Sequence, residues 1–335
     1  MTSSKIDRRH LLLTAGGFSV LTLAACAKSS EQKLPDGKEA PLRFSIVAPE
    51  SASSLEAFWK PIIADMEKIT GLKIVPFLGA NYTALVEALR FKQSDFGWFT
   101  NFSGLEAVRR GGGEVFARTF DPSGDDGYTS VVIVPAKSKT TLEDILKCDR
   151  TLNFGIGDAK STSGTLAPKT YLFGPHDIDV NKCFKTVKSA NHGANLMGVA
   201  SGVLDAATGN STSLRLQRER DVANAAKGQP TIVDKVRVVW TSPRLPEDPI
   251  IWRKDLDPAI KEKLRQFFLT YAQGDGPEPE RQRALLAKVS IGGFKPADNN
   301  HLLAVREMEA SELLQEAKNS KDAGKIAQAQ KAYDA

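Results

Sequence analysis

Three small hydroxyl residues in a row, Ser161, Thr162 and Ser163, stand ahead of Gly164 in the stretch GDAKSTSGTLAP. They follow the apolar run TLNFGIG, so they lie where a strand gives way to a helix. Three chemistries suit that place. The hydroxyls can cap the free N–H groups of the helix, as Ser and Thr commonly do. One of them can be a nucleophile, given a base and an orienting group, and His192 with Asp205 or Asp248 supplies those residue types. Or all three, with backbone N–H groups at the positive end of a helix dipole, can hold a phosphate-like oxyanion without a metal. The hydrolase alternative, Ser161 or Ser163 acting with His192, lacks the G-x-S-x-G elbow around either serine. GIGD lacks the third glycine of a dinucleotide fingerprint, and the chain has no GxxxxGK[ST] loop. With His10, His176, His192 and His301 as its only histidines, and no clustered Cys and His, it offers no metal site; no metal or other cofactor is expected.

Such a cluster needs a scaffold. LRFSIVA (42–48) has the apolar character of a buried strand, and Leu55, Phe58, Trp59, Ile62, Ile63, Met66 and Ile69 recur at helical spacing. LKIVPFL and YTALVEALRF repeat the strand–helix pair, and SDFGWFT with FSGLEAVRR repeats it again, ending in glycines at 111–113. Those glycines read as a turn after a helix rather than a phosphate loop. EVFARTF and YTSVVIVPA are extended runs in quick succession. The alternation restarts near Thr141 with TLEDILKC, TLNFGIG, a helix around LAPKTYLF, FKTVKSA, a helix over 194–202 and LDAAT. An apolar-poor insert, QRERDVANAAKGQPTIVDK, leads to VRVVWTS, and the chain turns helical again over 257–273. Strands alternating with helices predict α/β layers with a largely parallel sheet. The chain builds one lobe, crosses to a second and returns near 238–250, and two crossings make a hinge. From Asn299 onward the tail is rich in Ala, Glu, Lys and Gln and reads as a solvated helix, with Leu302, Leu303, Val305 and Leu313 as a stripe for packing or for a partner.

The N-terminus is an address. KIDRRHLLLTAGGFSVLTLAAC has a basic start, a short apolar run and small residues before Cys26, the pattern of a cleaved signal peptide. Leu23-Ala24-Ala25-Cys26 resembles a bacterial lipobox, in which the cysteine is acylated. Arg8-Arg9 resembles a twin-arginine export signal, with general secretion as the alternative. The polar stretch AKSSEQKLPDGKEAP then suits a tether. Removing residues 1–25 takes away three basic residues and one acidic one, so the formal charge falls from +5 to +3. So modest a charge, scattered along the chain, argues against nucleic acid as a partner. With Cys26 assigned to lipid, the remaining cysteines are Cys148 and Cys183. In an oxidising compartment they can pair or remain buried thiols, and spacing alone does not decide.

STSG…P, His192, SGVLDAATGN and SPRLPEDPIIWRKDL, with NYTALVEALRF, DFGWFT and GYTSVVIV ahead of them in order, resemble the periplasmic phosphonate-binding proteins of ABC importers, a branch of the phosphate/phosphite/phosphonate family. The resemblance runs over roughly residues 42–290. It implies a two-lobed, type II periplasmic binding protein fold, each lobe a sheet flanked by helices, with ligand between them. The expected organisation is signal peptide 1–25, tether 26–40, first lobe 41–128 and 244–295, second lobe 129–243 and helical tail 296–335. It further implies that Tyr82 and Tyr128 offer phenol hydroxyls, that Ser161, Thr162 and Ser163 grip the phosphonyl oxygens, and that His192 adds an N–H. Asp248 falls in the family's acidic position. Members that take aminoalkyl phosphonates carry a further glutamate where this chain has Thr212, so the ligand class stays broad: phosphonate, phosphite or phosphate. The implied partners are that oxyanion, a membrane permease and the lipid on Cys26, with the C-terminal helix a surface for a homodimer. The implied location is the periplasm.

Overall fold

The computed structural model describes residues 40–48 and 52–334. The signal peptide, Cys26 and the tether up to residue 39 lie outside the described residues. The chain opens with β1 (Leu42–Ile46), α1 (Ala52–Thr70), β2 (Ile74–Phe77), α2 (Tyr82–Arg90), β3 (Phe96–Trp98), α3 (Asn101–Arg110) and β4 (Gly113–Phe120). It continues with β5 (Gly127–Pro135), α4 (Leu142–Leu146), β6 (Asn153–Ile156), two π-helical turns (Thr162–Leu166 and Lys169–Phe173), α5 (Val180–Cys183) and β7 (Thr186–Ser189). Then come α6 (His192–Ala200), β8 (Ala206–Asn210), α7 (Ser211–Ala225) and β9 (Val236–Pro246). The last elements are β10 (Pro249–Arg253), α8 (Pro258–Thr270), α9 (Pro277–Ala287), β11 (Gly293–Pro296), α10 (Leu303–Ser320) and α11 (Ala323–Tyr333).

These strands form two sheets, ordered β11-β4-β10-β3-β1-β2 and β7-β6-β8-β5-β9. The chain changes sheet twice, between Phe120 and Gly127 and again between Pro246 and Pro249, where Glu247 and Asp248 are the whole link. The sheets are mixed rather than largely parallel. β1 runs parallel to β2 and β3, whereas β10 is antiparallel to β3 and β4. In the second sheet β6 is parallel to β7 and β8, while β5 is antiparallel to β8 and β9. A strand that re-enters a sheet from the other lobe need not follow a right-handed crossover helix, so the alternation of elements does not fix its direction.

Each sheet has an aromatic core. In the first, Phe44 stacks on Phe96, Phe116 stacks on Trp252, and Phe268 meets Phe96 and Phe116 edge-on. In the second, Phe154 stacks on Phe184 with Phe173 edge-on to both. Cys148 and Cys183 pair as a disulfide beside that core, which resolves the alternative left open by spacing.

Two segments depart from expectation. The insert over QRERDVANAA is the body of α7, a predominantly polar helix anchored by Asp221, whose carboxylate accepts the N–H groups of Ile232 and Val233 at 2.7 Å each. The tail is not simply solvated. Val305, Met308, Glu309, Leu314 and Ala317 of α10 are buried, while Leu303 and Leu313 of the expected stripe are exposed. α10 spans both lobes: Arg109 of α3 pairs with Glu309 at 2.7 Å, and on the other side Lys169 pairs with Glu312 and Thr170 Oγ1 donates to the Met308 carbonyl at 3.2 Å.

Candidate functional site

The hydroxyl triplet lies on a loop folded back on itself. Gly157 donates its N–H to the Gly164 carbonyl at 2.8 Å, and the two glycines press so closely that a Cβ on Gly157 would sit 2.5 Å from the Gly164 Cα. Neither position has room for a side chain. The carbonyls of the loop are satisfied from behind: Ser130 Oγ of β5 donates to the Ser163 carbonyl at 2.6 Å and Thr208 Oγ1 of β8 to the Gly164 carbonyl at 2.7 Å. The winding that follows is π-helical, its first ladder bond running from Leu166 N–H to the Ser161 carbonyl at 3.1 Å. The N–H groups of Thr162 and Ser163 stand ahead of that bond, at the positive end of the helix.

Two hydroxyls of the triplet have one commitment each, and the third has more. Ser161 Oγ accepts the Gly164 N–H at 3.0 Å, and Thr162 Oγ1 accepts the Phe102 N–H of α3, in the facing lobe, at 2.9 Å. Both oxygens act as acceptors, so each keeps its own proton for another partner. Ser163 Oγ accepts from Asn210 Nδ2 at 3.2 Å and lies 3.3 Å from His192 Nε2. His192 opens α6 behind the cap of Asn191, and its Nδ1 is buried without a hydrogen-bond partner.

The facing wall consists of two further helix N-termini and the second crossing. α2 begins at Tyr82, whose N–H donates to Asp158 Oδ2 across the cleft at 3.2 Å. α3 begins behind the cap of Thr100, whose hydroxyl donates to the Lys160 carbonyl at 2.9 Å. These bonds join the lobes directly. Asn101 Nδ2 reaches the carbonyls of Pro246 at 2.8 Å and Glu247 at 3.3 Å, and lies 3.4 Å from Asp248 Oδ1; Asn101 Oδ1 has no partner. Between the lobes, Gly79–Thr83 on one side and Asp158, Ala159 and Ser189–Asn191 on the other line a cavity of about 470 Å³.

Burial, ahead of any charge, sets the protonation of this cluster. It holds the His192 imidazole down at about 4, so the ring is neutral at physiological pH. It pushes the Tyr82 and Tyr128 phenols well above their ordinary range, with Asp158 and Asp248 adding to the effect at Tyr82, and Asp248 and Glu247 at Tyr128. It pushes the Asp248 carboxyl well up too, with Glu247 as the next cause. The cleft therefore presents uncharged donors and a carboxyl disposed to share a proton. Among the described residues no group of three or more His, Cys, Asp or Glu is placed to hold a metal, and no helix is long and apolar enough to cross a membrane.

Residues 44–302 match the family model for the ABC transporter, phosphonate, periplasmic substrate-binding protein. The chain belongs to that family. A phosphonates-binding periplasmic protein of Escherichia coli is 34% identical over 305 residues, covering 91% of this chain and 84% of that protein. A phosphate-import protein of Mycolicibacterium smegmatis is 24% identical, covering 79% of this chain and 83% of its own. The crystal structure of a binding-protein component of an ABC phosphonate transporter from Pseudomonas aeruginosa superposes with a TM-score of 0.80 at 33% identity, covering 89% of this chain and 95% of that one. Members of this phosphonate-binding family are transport components rather than enzymes. The serine-hydrolase alternative has no support: His192 Nδ1 meets no acid, and Asp205 is held at the start of β6, accepting from Asn153 N at 2.7 Å and Nδ2 at 3.0 Å.

In this member of the phosphonate-binding family, Tyr82, Tyr128, Ser161, Thr162, Ser163, His192 and Asp248 form one connected group. Tyr128 is buried beside Ser163 and feels Tyr82 and Asp248. Thr212 is not part of it. It is half-buried as the second residue of α7 with no side-chain hydrogen bond; its neighbour Ser211 accepts the Thr129 N–H at 3.1 Å. Four contributors escaped the sequence: Thr100, Asn101, Asp158 and Glu247. TNFSG reads only as a helix cap and Asp158 as a turn residue, and nothing local marks either as facing the other lobe.

Proposed function

We propose that the chain captures a phosphonate, or a related small phosphorus oxyanion, between its lobes and delivers it to the membrane permease of an ABC importer. The observation that carries this reading is the pair of hydroxyls, Ser161 and Thr162, each accepting a helix N–H and each with a proton to spare. The start of α6 at His192 lies against the same loop, and α2 and α3 face it from the other lobe. Donors from both lobes around one anion favour the closed form, so ligand shifts the lobes toward closure. In this reading Tyr82 and Tyr128 donate from their phenols and His192 from its unpartnered nitrogen. Asp248 accepts a hydrogen bond from a protonated P–OH, which sulfate cannot offer near neutral pH. With Thr212 in place of a second acid, the site suits a broad class of phosphorus oxyanions rather than an aminoalkyl phosphonate alone, a breadth in keeping with relatives named for phosphonates and for phosphate.

The same reading has residues 1–25 cleaved, Cys26 acylated and residues 26–40 as the tether that holds the protein at the periplasmic face of a membrane. A homodimer through the C-terminal helices fits α11, which buries none of its residues in the monomer. Calorimetric titration of the purified protein against methylphosphonate, aminoethylphosphonate, phosphite, phosphate and sulfate tests the proposal. At least one phosphorus oxyanion is expected to bind, with sulfate weaker by about 100-fold or more, the loss expected for an unpaired buried carboxylate. Failure of every phosphorus oxyanion to bind would sink it.

A further inference from the structure

Glu247 has no role in anion binding as proposed above, yet it is a buried carboxyl (8% exposed) next to the half-buried Asp248 on the link that joins the lobes. Its backbone is clamped: His301 Nε2 donates to the Glu247 carbonyl at 2.6 Å, and Asn101 Nδ2 approaches the same carbonyl at 3.3 Å. Its side chain meets Thr119 of β4, whose Oγ1 lies 3.2 Å from Glu247 Oε2 and 3.3 Å from the Asp248 carbonyl. A hydroxyl has one proton, so an ionised Glu247 would compete with that carbonyl for it. A protonated Glu247 ends the competition: Oε2–H donates to Thr119 Oγ1, and Thr119 donates onward to Asp248. Glu247 Oε1 is buried with no partner, which the carbonyl oxygen of a neutral acid tolerates far better than half of a carboxylate does.

The two cations near it favour ionisation, but burial outweighs them and each is committed to another acid. Arg215 of α7 is committed to Asp121 at 2.5 Å, and Arg118 of β4 to Asp126 at 3.0 Å. Asp121 on the first crossing and Asp248 next door are acids, the Tyr128 phenol is buried, and burial holds the His301 imidazole down.

We propose that Glu247 is a positioning residue of the cleft: held as the neutral acid through Thr119, it leaves Asp248 alone to face the anion, and where alkaline solution has ionised it, anion capture draws its proton back. Burial, with Asp121 as a lesser contributor, pushes its carboxyl up to about 7, in keeping with that state. The coupling rests on the anion-binding reading; the neutral acid does not.

The test is thermal melting of the ligand-free protein and of Glu247→Gln from pH 5 to 8.5, followed by titration of both with methylphosphonate. A carboxyl whose folded-state pKa is raised contributes stability that is full below the unfolded value, about 4.3, and is lost as pH rises through about 7. Wild type should therefore lose stability relative to Glu247→Gln as pH rises. The variant should bind at pH 6 and show a shallower fall in affinity toward pH 8.5 than wild type. A melting difference that stays constant across the range, superimposable affinity profiles, or a Glu247→Gln protein that does not fold would each overturn the proposal, because an amide can donate to Thr119 as the neutral acid does. A pH-dependent melting difference without methylphosphonate binding would leave the neutral acid standing and refute the anion-binding reading.

Discussion

Thr162 serves both lobes through one oxygen. It accepts the Phe102 N–H across the cleft while its own proton stays available to ligand. Thr162→Val keeps the shape and removes both capacities, so affinity for methylphosphonate should fall by about 10- to 100-fold, the effect of losing a buried hydrogen bond to a charged group. Calorimetry checks this, and an unchanged Kd would remove Thr162 from the site. His192 works in the opposite sense to Glu247 with pH. Its imidazole is depressed from its ordinary 6.5 to about 4, so the stability it contributes is full above about 6.5 and is lost as pH falls toward 4. Melting curves of wild type and His192→Gln should therefore converge on acidification. At this scale the triplet is legible because its residue types carry chemistry and stand at an element start, whereas the tyrosines and the ligand role of His192 enter only through the family resemblance. Asn101 and Glu247 are not legible, because their roles arise from contact with residues 147 and 128 positions away, Asp248 and Thr119 respectively.

Elements set where those residues meet. The loop over 157–164 works only because two glycines touch, and the π-helical turns after it leave its leading N–H groups ahead of the ladder. A helix after the triplet is readable from the sequence, whereas its π winding is not, since width depends on what packs around it. α10 was hidden for another reason. Its buried face carries Glu309 beside Val305 and Met308, so apolar spacing alone misplaces the stripe. The two terminal helices should separate on truncation. Deleting 322–335 removes α11, none of whose residues is fully buried, and should lower the melting temperature of the monomer by no more than a degree or two; deleting from 303 strips α10 from both lobes and should lower it by several degrees or more. Differential scanning calorimetry distinguishes these outcomes, and equal effects from both deletions would contradict the role given to α10.

At the scale of the whole molecule, two sheets joined by two short crossings make a hinge, and the proposed anion site lies where both lobes supply donors. The alternation of strands and helices makes the two lobes readable. The antiparallel return of β10 and β11 is not, because it depends on the path the chain takes back from the second sheet. The central claim is that one phosphorus oxyanion is gripped by both lobes at once. A crystal structure of the complex with methylphosphonate tests it most directly. The account predicts phosphonyl oxygens within hydrogen-bond reach of Ser161, Thr162 and Ser163 on one side and of Tyr82 on the other, with Asp248 against the anion. A ligand bound elsewhere, or held by one lobe alone, would contradict it.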